Sequence, residues 1–159
     1  MGERARILIV DDDESIRKTL KAILEEVGHE VDTAPNGRQA TRKCKTRFYN
    51  LALIDIRLPD MEGTTLLTKI GNMTPKMRKI IITGYPSLQN AVEALNRGAD
   101  AYIVKPFDLT EVLQKIQKQL RQQEEEAKYS QDKVAEFIET RVRELEEEKA
   151  IDEKPSRNE

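Results

Sequence analysis

Five side chains able to do chemistry follow apolar runs of strand length in this chain. They are those of Asp11, Asp12, Asp55, Thr83 and Lys105. Carboxylate oxygens are the ligands that Mg²⁺ prefers in proteins. A hydroxyl and an ammonium group can bind phosphoryl oxygens, and phosphoryl transfer depends mainly on positioning and electrostatic stabilisation. If the chain brings these groups together, they can hold a divalent cation and a phosphoryl group.

Apolar strands that alternate with amphipathic helices predict the scaffold for these groups. The strand-like runs cover residues 5–10, 29–33, 50–55, 79–83 and 101–105, and a helical pattern follows each of them. Continuous apolar strands in this alternation indicate a parallel sheet that is covered on both faces. Right-handed crossovers bring the carboxyl ends of such strands to one edge, where α/β proteins form their sites. We therefore predict an α/β fold with a five-stranded, doubly wound parallel sheet.

Two of the predicted helices have clear starts. The fourth opens at Pro86-Ser87 and carries an apolar stripe of Leu88, Ala91, Val92 and Leu95. The fifth follows Asp108, a favourable N-cap residue, and carries Leu109, Val112, Leu113, Ile116 and Leu120. Spacings of three and four residues are those of a helix with one apolar face.

The chain changes character after Leu120. Residues 121–159 contain 8 Lys/Arg and 13 Asp/Glu, whereas residues 1–120 contain 19 and 16. A thin apolar stripe runs through Val134, Phe137, Ile138, Val142 and Leu145. We predict an α/β domain at residues 5–120, a charged helical extension at 121–150 and a disordered tail at 151–159. The extension either continues the fifth helix or begins after a joint near Tyr129-Ser130, and its stripe is suited to a homotypic or partner contact.

Composition excludes several functional classes. The acidic tail argues against a basic nucleic-acid footprint, so direct nucleic-acid binding is not expected. No apolar stretch approaches the roughly 20 residues that span a bilayer, so no membrane association is expected either. The single cysteine, Cys44, suits a reducing compartment. We expect a cytoplasmic protein.

The strand-end motifs resemble those of a known family. The matching segments are Ile9-Val10-Asp11-Asp12, Leu53-Ile54-Asp55-Ile56-Arg57-Leu58-Pro59-Asp60-Met61-Glu62-Gly63, Ile82-Thr83-Gly84 and Lys105-Pro106-Phe107. In order and separation they resemble the receiver domain of two-component response regulators, over roughly residues 5–120. The resemblance implies the flavodoxin-like receiver fold.

The same resemblance implies a phosphoacceptor and a metal site. Asp55 would accept a phosphoryl group from a phosphohistidine on a sensor histidine kinase. Asp11 and Asp12 would hold Mg²⁺, assisted by the Asp55 carboxylate and by the backbone carbonyl of Arg57. Asp12 would be the direct ligand, with Asp11 acting through water. An adjacent third carboxylate, Asp13, has no role in this scheme.

Further roles follow from the family pattern. Thr83 and Lys105 would bind the phosphoryl oxygens, and Tyr102 would swing inward when Thr83 moves. The Lys105-Pro106 peptide bond would be cis. Arg57 and Tyr85, two residues past Asp55 and Thr83, would shield the acyl phosphate from water and give a moderately long-lived phosphoryl state.

The resulting hypothesis is a signalling switch and not an enzyme. Its only chemistry would be self-catalysed phosphotransfer and dephosphorylation. Output would run through an unidentified protein partner, or through a homodimer formed by the last helix or by the face of the fourth helix, fifth strand and fifth helix. About forty residues after Leu120 are too few for an independent DNA-binding or ATPase domain.

Three alternatives remain open at the level of sequence. The chain could be the receiver fragment of a larger DNA-binding response regulator, with the extension as a linker helix. It could be a phosphatase with an aspartyl-phosphate intermediate, although such enzymes place the nucleophile after the first strand and Asp55 follows the third. It could also be an adaptor with a vestigial site, against which the complete set of acidic, threonine and lysine residues argues.

Overall fold

Five strands alternate with five helices in the computed structural model, which describes residues 4–74 and 76–152. The strands are β1 (Arg6–Val10), β2 (Glu30–Ala34), β3 (Leu51–Asp55), β4 (Arg78–Thr83) and β5 (Ala101–Val104). The helices are α1 (Glu14–Val27), α2 (Gly37–Thr46), α3 (Gly63–Met73), α4 (Leu88–Asn96) and α5 (Leu109–Asp152).

The strands form one parallel sheet in the order β2-β1-β3-β4-β5. Near the carboxyl edge, Val10 pairs with Ile54, and Asp55 pairs with Ile82. Thr83 pairs with Val104 on the last strand. The ends of β1, β3, β4 and β5 therefore meet at one edge of the sheet, and the predicted doubly wound α/β fold is confirmed.

Two apolar cores sandwich the sheet. On one face, strand residues such as Leu8 and Ile54 pack with the α3 residues Leu66 and Leu67. On the other face, strand residues such as Ile9 pack with buried side chains of α1 and α5, namely Leu20, Leu24, Val112 and Ile116. Alternate strand side chains point to opposite faces, and both faces are covered. This explains why the strands are apolar without alternation.

Local capping residues set the helix ends. The Asp13 side chain accepts hydrogen bonds from the backbone N–H groups of Ser15 and Ile16 and so caps α1. Gly28 ends that helix with a φ of 113°, in the left-handed region that favours glycine. Asp13 therefore has a structural role that the sequence left unassigned.

The apolar stripe predicted for α4 is mostly exposed. Leu88 is 82% exposed, and Val92 and Leu95 are also exposed. Ala94 is the residue of α4 that is fully buried. The spacing correctly predicts a helix, but α4 packs on the sheet through small side chains and leaves the larger ones facing outward.

Helix α5 runs without a break through Tyr129-Ser130 to Asp152. The chain divides into two compact units, the first ending at Gln123 and the second beginning at Glu124. Within α5, Val112, Ile116 and Gln119 are buried, whereas residues 124–152 are exposed throughout. Disorder was predicted for residues 151–159. The first two of them are helical, and residues 153–159 lie outside the described part of the chain.

Among residues 4–74 and 76–152, none of the helices is both long enough and apolar enough to cross a bilayer.

Candidate functional site

Three carboxylates converge at the carboxyl edge of the sheet. Asp11 and Asp12 directly follow β1, and Asp55 is the last residue of the neighbouring strand β3. One carboxylate oxygen from each of the three lies within 4.8 Å of the others. Asp11 is 3% exposed and Asp55 is 7% exposed, whereas Asp12 faces solvent. Negative charges this close repel one another unless a cation lies among them.

The Lys105 ammonium supplies a cation to this cluster. Its Nζ atom lies 2.9 Å from Asp11 Oδ2 and 3.1 Å from Asp55 Oδ2. Burial acts to lower the pKa of Lys105, but the hydrogen bonds and charges of the two aspartates outweigh it and hold the pKa above its ordinary value. Lys105 is therefore a fixed positive charge between two buried carboxylates. The peptide bond from Lys105 to Pro106 is cis.

Thr83 is the last residue of β4, which lies between β3, where Asp55 is the last residue, and β5, which Lys105 directly follows. Thr83 is fully buried. Its Oγ1 atom accepts a hydrogen bond of 2.9 Å from the backbone N–H of Tyr85. Because a hydroxyl can donate while it accepts, the Thr83 hydroxyl hydrogen stays available to an incoming oxygen atom.

Arg57 is the second residue of the loop after β3, and its backbone N–H donates to Asp55 Oδ1 at 3.2 Å. The start of α3 approaches the same strand end closely. A Cβ atom at Gly63 would lie 2.4 Å from the Asp55 carbonyl oxygen, so only glycine fits there. Gly63 belongs to the family motif, but its sequence position alone indicates nothing about this contact.

The mouth of the site is bordered by a stacked pair. The Arg57 guanidinium carbon lies 3.9 Å from the centre of the Tyr85 ring, a cation–π contact. Both side chains line the same pocket as Asp12, Asp55 and Lys105. The sequence singled out each residue, and the structure shows that they contact one another.

Tyr102 lies on β5 but outside this cluster. Its backbone carbonyl accepts a hydrogen bond of 2.9 Å from Lys115 Nζ, and its ring packs against the core on the α3 side of the sheet. Burial raises the pKa of its hydroxyl, which lies beside the backbone of Ser87 before α4. The structure thus brings together Asp11, Asp12, Asp55, Arg57 and Lys105. It places Thr83 at the end of the neighbouring strand β4, and Tyr102 lies apart from the cluster.

The donor set fits a hard divalent cation. Three carboxylates at mutual distances within 4.8 Å offer oxygen ligands, and Mg²⁺ takes such ligands while keeping several waters. The Lys105 ammonium, which contacts Asp11 and Asp55, and the Thr83 hydroxyl at the end of β4 are groups of the kind that bind phosphoryl oxygens. Asp55 is buried and contacts the Lys105 ammonium.

Known proteins are similar to this chain in sequence and in fold. The family model for the response regulator receiver domain matches residues 7–117. The transcriptional regulatory protein ZraR of Klebsiella oxytoca is 42% identical over 107 residues, which are 67% of this chain and 24% of ZraR. This chain thus spans about a quarter of the length of that relative.

Solved structures give the same result. The crystal structure of a CheY-like response regulator receiver domain protein from Methanospirillum hungatei JF-1 is 51% identical with a TM-score of 0.76, and the match covers 78% of this chain and 99% of that one. The solution structure of the beryllofluoride-activated NtrC4 receiver domain dimer is 37% identical with a TM-score of 0.71, covering 74% and 98% of the two chains. The resemblance seen in the strand-end motifs is therefore confirmed, and the chain belongs to the response regulator receiver domain family.

Proposed function

We propose that Asp55 accepts a phosphoryl group from the phosphohistidine of a sensor histidine kinase. One observation supports this most directly: the buried Asp55 carboxylate lies in an acidic cluster and 3.1 Å from the Lys105 ammonium. An Asp55 oxygen attacks the phosphorus atom, a P–O bond forms, and the P–N bond to the donor histidine breaks. The histidine nitrogen keeps the electron pair of the broken bond, so the atoms and electrons balance.

The same cluster is the proposed Mg²⁺ site. Asp11, Asp12, the Asp55 carboxylate and the backbone carbonyl of Arg57 would hold the ion. When bound, Mg²⁺ neutralises charge on the phosphoryl oxygens. Asp12 is the most exposed of the three carboxylates and is therefore the proposed direct ligand, with Asp11 acting through water.

Lys105 and Thr83 have the proposed task of binding the phosphoryl oxygens. The Lys105 ammonium already contacts Asp55, so it can transfer that contact to an oxygen of the new phosphoryl group. The Thr83 hydroxyl can donate its hydrogen to another oxygen while it still accepts from Tyr85 N–H. Both groups stabilise negative charge as the phosphoryl group arrives.

Output is proposed to run through protein contact, with the chain as a switch and not an enzyme. Movement of Thr83 toward a phosphoryl group would be followed by the ring of Tyr102, which lies on the adjacent strand near α4. Helix α4 and strand β5 expose apolar side chains, namely those of Leu88, Val92, Leu95 and Val104. This face of α4, β5 and the first part of α5 is the proposed contact surface for a downstream protein.

A second copy of the chain is the other proposed partner. The exposed stripe of α5 (Val134, Phe137, Ile138, Val142 and Leu145) lies on a segment whose described residues are all exposed. A helix without tertiary packing is only marginally stable in water, and pairing would bury this stripe. The NtrC4 receiver is described as a dimer when activated by beryllofluoride, which supports self-association as a response to activation.

Beryllofluoride, a phosphoryl mimic, tests the proposal directly. In the presence of Mg²⁺ it should shift the backbone amide resonances of Thr83, Tyr102 and α4. Asp55→Asn should abolish these shifts, whereas Asp132→Asn, a matched change in the extension, should leave them intact. Shifts that persist in Asp55→Asn would overturn the assignment of the acceptor, and no response in the unaltered chain would favour a vestigial site.

The principal alternative concerns the rest of the molecule. ZraR is named as a transcriptional regulator, and this chain spans about a quarter of its length. The chain would then be the receiver of a larger DNA-binding regulator, with α5 as the linker helix. No direct nucleic-acid contact is proposed for the described residues. A phosphatase with an aspartyl-phosphate intermediate is the lesser alternative, and multiple turnover of a generic phosphate ester would support it.

A further inference from the structure

The loop between β3 and α3 is folded back on itself. The backbone N–H of Gly63 donates to the Ile56 carbonyl at 2.6 Å, and the N–H of Leu58 donates to the Met61 carbonyl at 3.1 Å. Arg57 and Glu62 form an antiparallel bridge across the loop. The Arg57 carbonyl, a proposed Mg²⁺ ligand, belongs to this loop, so the path of the loop determines where that oxygen lies.

The tip of this loop is attached to another element. Asp60 Oδ1 accepts from the backbone N–H of Gly37 at 2.9 Å, and Asp60 Oδ2 accepts from that of Arg38 at 2.9 Å. Gly37 and Arg38 form the first turn of α2, where backbone N–H groups have no partner within the helix. A carboxylate is also favoured there by the helix dipole. The two hydrogen bonds use both oxygens of Asp60 and hold the loop to α2.

The next residue makes a second contact at the same place. Met61 packs on Gly37 so closely that a Cβ atom at Gly37 would lie 2.4 Å from the Met61 sulfur. Consecutive residues of the loop therefore contact one residue of α2, one by hydrogen bonding and one by packing. The α2 N-terminus therefore holds a loop that begins directly after Asp55.

We propose that Asp60 is a positioning residue for the metal site. Asp60 is not one of the three clustered carboxylates, but it holds the loop that contains the Arg57 carbonyl. Mg²⁺ requires near-ideal octahedral geometry, so a small displacement of one ligand weakens binding. This inference rests on the proposed function, because it takes the Arg57 carbonyl as a ligand.

Thermodynamic linkage gives the proposal a second consequence. If Asp60 couples α2 to the metal site, Mg²⁺ binding must in turn stabilise the contact between the loop and α2. Hydrogen exchange of the Gly37 and Arg38 amides should therefore slow when Mg²⁺ binds. Loss of Asp60 should remove that effect.

The decisive experiment compares two capping residues of the same helix. Asn36 Oδ1 accepts from the backbone N–H of Gln39 at 2.8 Å and so caps α2 through a hydrogen bond within that helix. Mg²⁺ affinity would be measured by isothermal titration calorimetry for the unaltered chain, Asp60→Ala, Asp60→Asn and Asn36→Ala. We expect Asp60→Ala to weaken binding by about tenfold, Asp60→Asn to weaken it less, and Asn36→Ala to leave it unchanged.

The outcomes separate positioning from general helix stability. Equal loss in Asp60→Ala and Asn36→Ala would overturn the proposal, because stabilisation of α2 alone would then explain both. Unchanged Mg²⁺ affinity in Asp60→Ala would overturn the proposal as well. So would a hydrogen-exchange rate of the Gly37 amide that is the same with and without Mg²⁺. Asp12→Asn serves as the reference for the site itself. If that variant binds Mg²⁺ normally, the metal site is wrongly assigned and the role of Asp60 fails with it.

Discussion

Lys105 Nζ lies 3.1 Å from Asp55 Oδ2, although Lys105 directly follows β5, Asp55 ends β3, and β4 lies between these two strands. The lysine side chain therefore extends across the end of one strand to reach the proposed acceptor. It also contacts Oδ2 of Asp11 at 2.9 Å, and Asp11 follows β1, the strand on the other side of β3. The ammonium therefore already lies next to the proposed acceptor, where its positive charge could bind an oxygen of an incoming phosphoryl group.

Lys105→Met should lower the stability of the fold without Mg²⁺ and raise the affinity for Mg²⁺, because the ammonium both neutralises the aspartates and competes with the ion. Without the cation, the aspartates repel one another, and we expect the free energy of unfolding without Mg²⁺ to fall by about 2 kcal/mol. Mg²⁺ affinity should rise by about tenfold, since the ion no longer competes with an ammonium. Denaturant titration and calorimetry measure these effects, with the exposed Lys118→Met as control. Weaker Mg²⁺ binding in Lys105→Met would contradict the prediction.

Thr83→Ala should uncouple phosphoryl binding from output. Lys105 and the carboxylates remain, so beryllofluoride should still bind at Asp55. The hydroxyl that would move toward it is absent, so the amide resonances of Tyr102 and α4 should no longer shift. Thr83→Ser keeps the hydroxyl and should retain the response. Equal shifts at Tyr102 in Thr83→Ala and in the unaltered chain would show that the hydroxyl plays no part in the switch.

Arg57→Ala and Tyr85→Ala should each shorten the life of the phosphoryl group. Their cation–π pair borders the pocket, and its loss admits water to the acyl phosphate. We expect phosphate release to become roughly fivefold faster. The double variant should be little faster than either single variant, because the two side chains act as one unit. Tyr129→Ala, in the extension, is the control, and unchanged release rates in the first two variants would eliminate the shielding role.

Ile138→Asp should weaken any dimer formed through α5. A carboxylate buried in a paired apolar stripe has no compensating partner, so the dimer dissociation constant should rise by more than about tenfold. Thr140→Asp places the same charge on the same helix away from the stripe and should have little effect. Molar mass in solution, measured with and without beryllofluoride and Mg²⁺, reports the result. A chain that stays monomeric under both conditions would favour a different partner.

His29 should make stability depend on pH near neutrality. Its Nδ1 atom accepts a hydrogen bond of 3.2 Å from the backbone N–H of Ala5, and burial lowers the pKa of the imidazole. The unfolded chain therefore binds a proton more readily than the folded chain, so stability falls as the pH drops through the ordinary histidine range, near 6.5. In His29→Gln the free energy of unfolding should change less between pH 7.5 and 5.5. An unchanged slope would show that the proton binds equally in both states.

The sequence predicts which residues gather at the carboxyl edge of the sheet, and it does so for a physical reason. An apolar run of five or six residues between turn signals is typical of a strand that is buried in a sheet. When such strands alternate with helices along the chain, a parallel sheet covered by those helices is favoured. Once the strands are parallel, the residues after them share an edge. Asp11, Asp55 and Lys105 could therefore be grouped without knowledge of any contact.

Contacts that depend on how helices and strands pack against one another could not be predicted from the sequence. The sequence shows that Leu88, Val92 and Leu95 share a helix face, but periodicity is the same whether that face meets a core or a partner, and the structure leaves it exposed. The same holds for Asp60. Nothing in its local sequence indicates that the N–H groups of Gly37 and Arg38, more than twenty residues earlier, lie within hydrogen-bonding distance.

The chain's residue pattern therefore specified the fold, the edge of the sheet and the chemical groups gathered there, because burial and strand direction are consequences of local composition and spacing. The distances among those groups, the Arg57–Tyr85 stack, the attachment of Asp60 to α2 and the outward face of α4 depend on the relative placement of elements far apart in the chain. That placement results from packing of the whole domain, which no local pattern encodes.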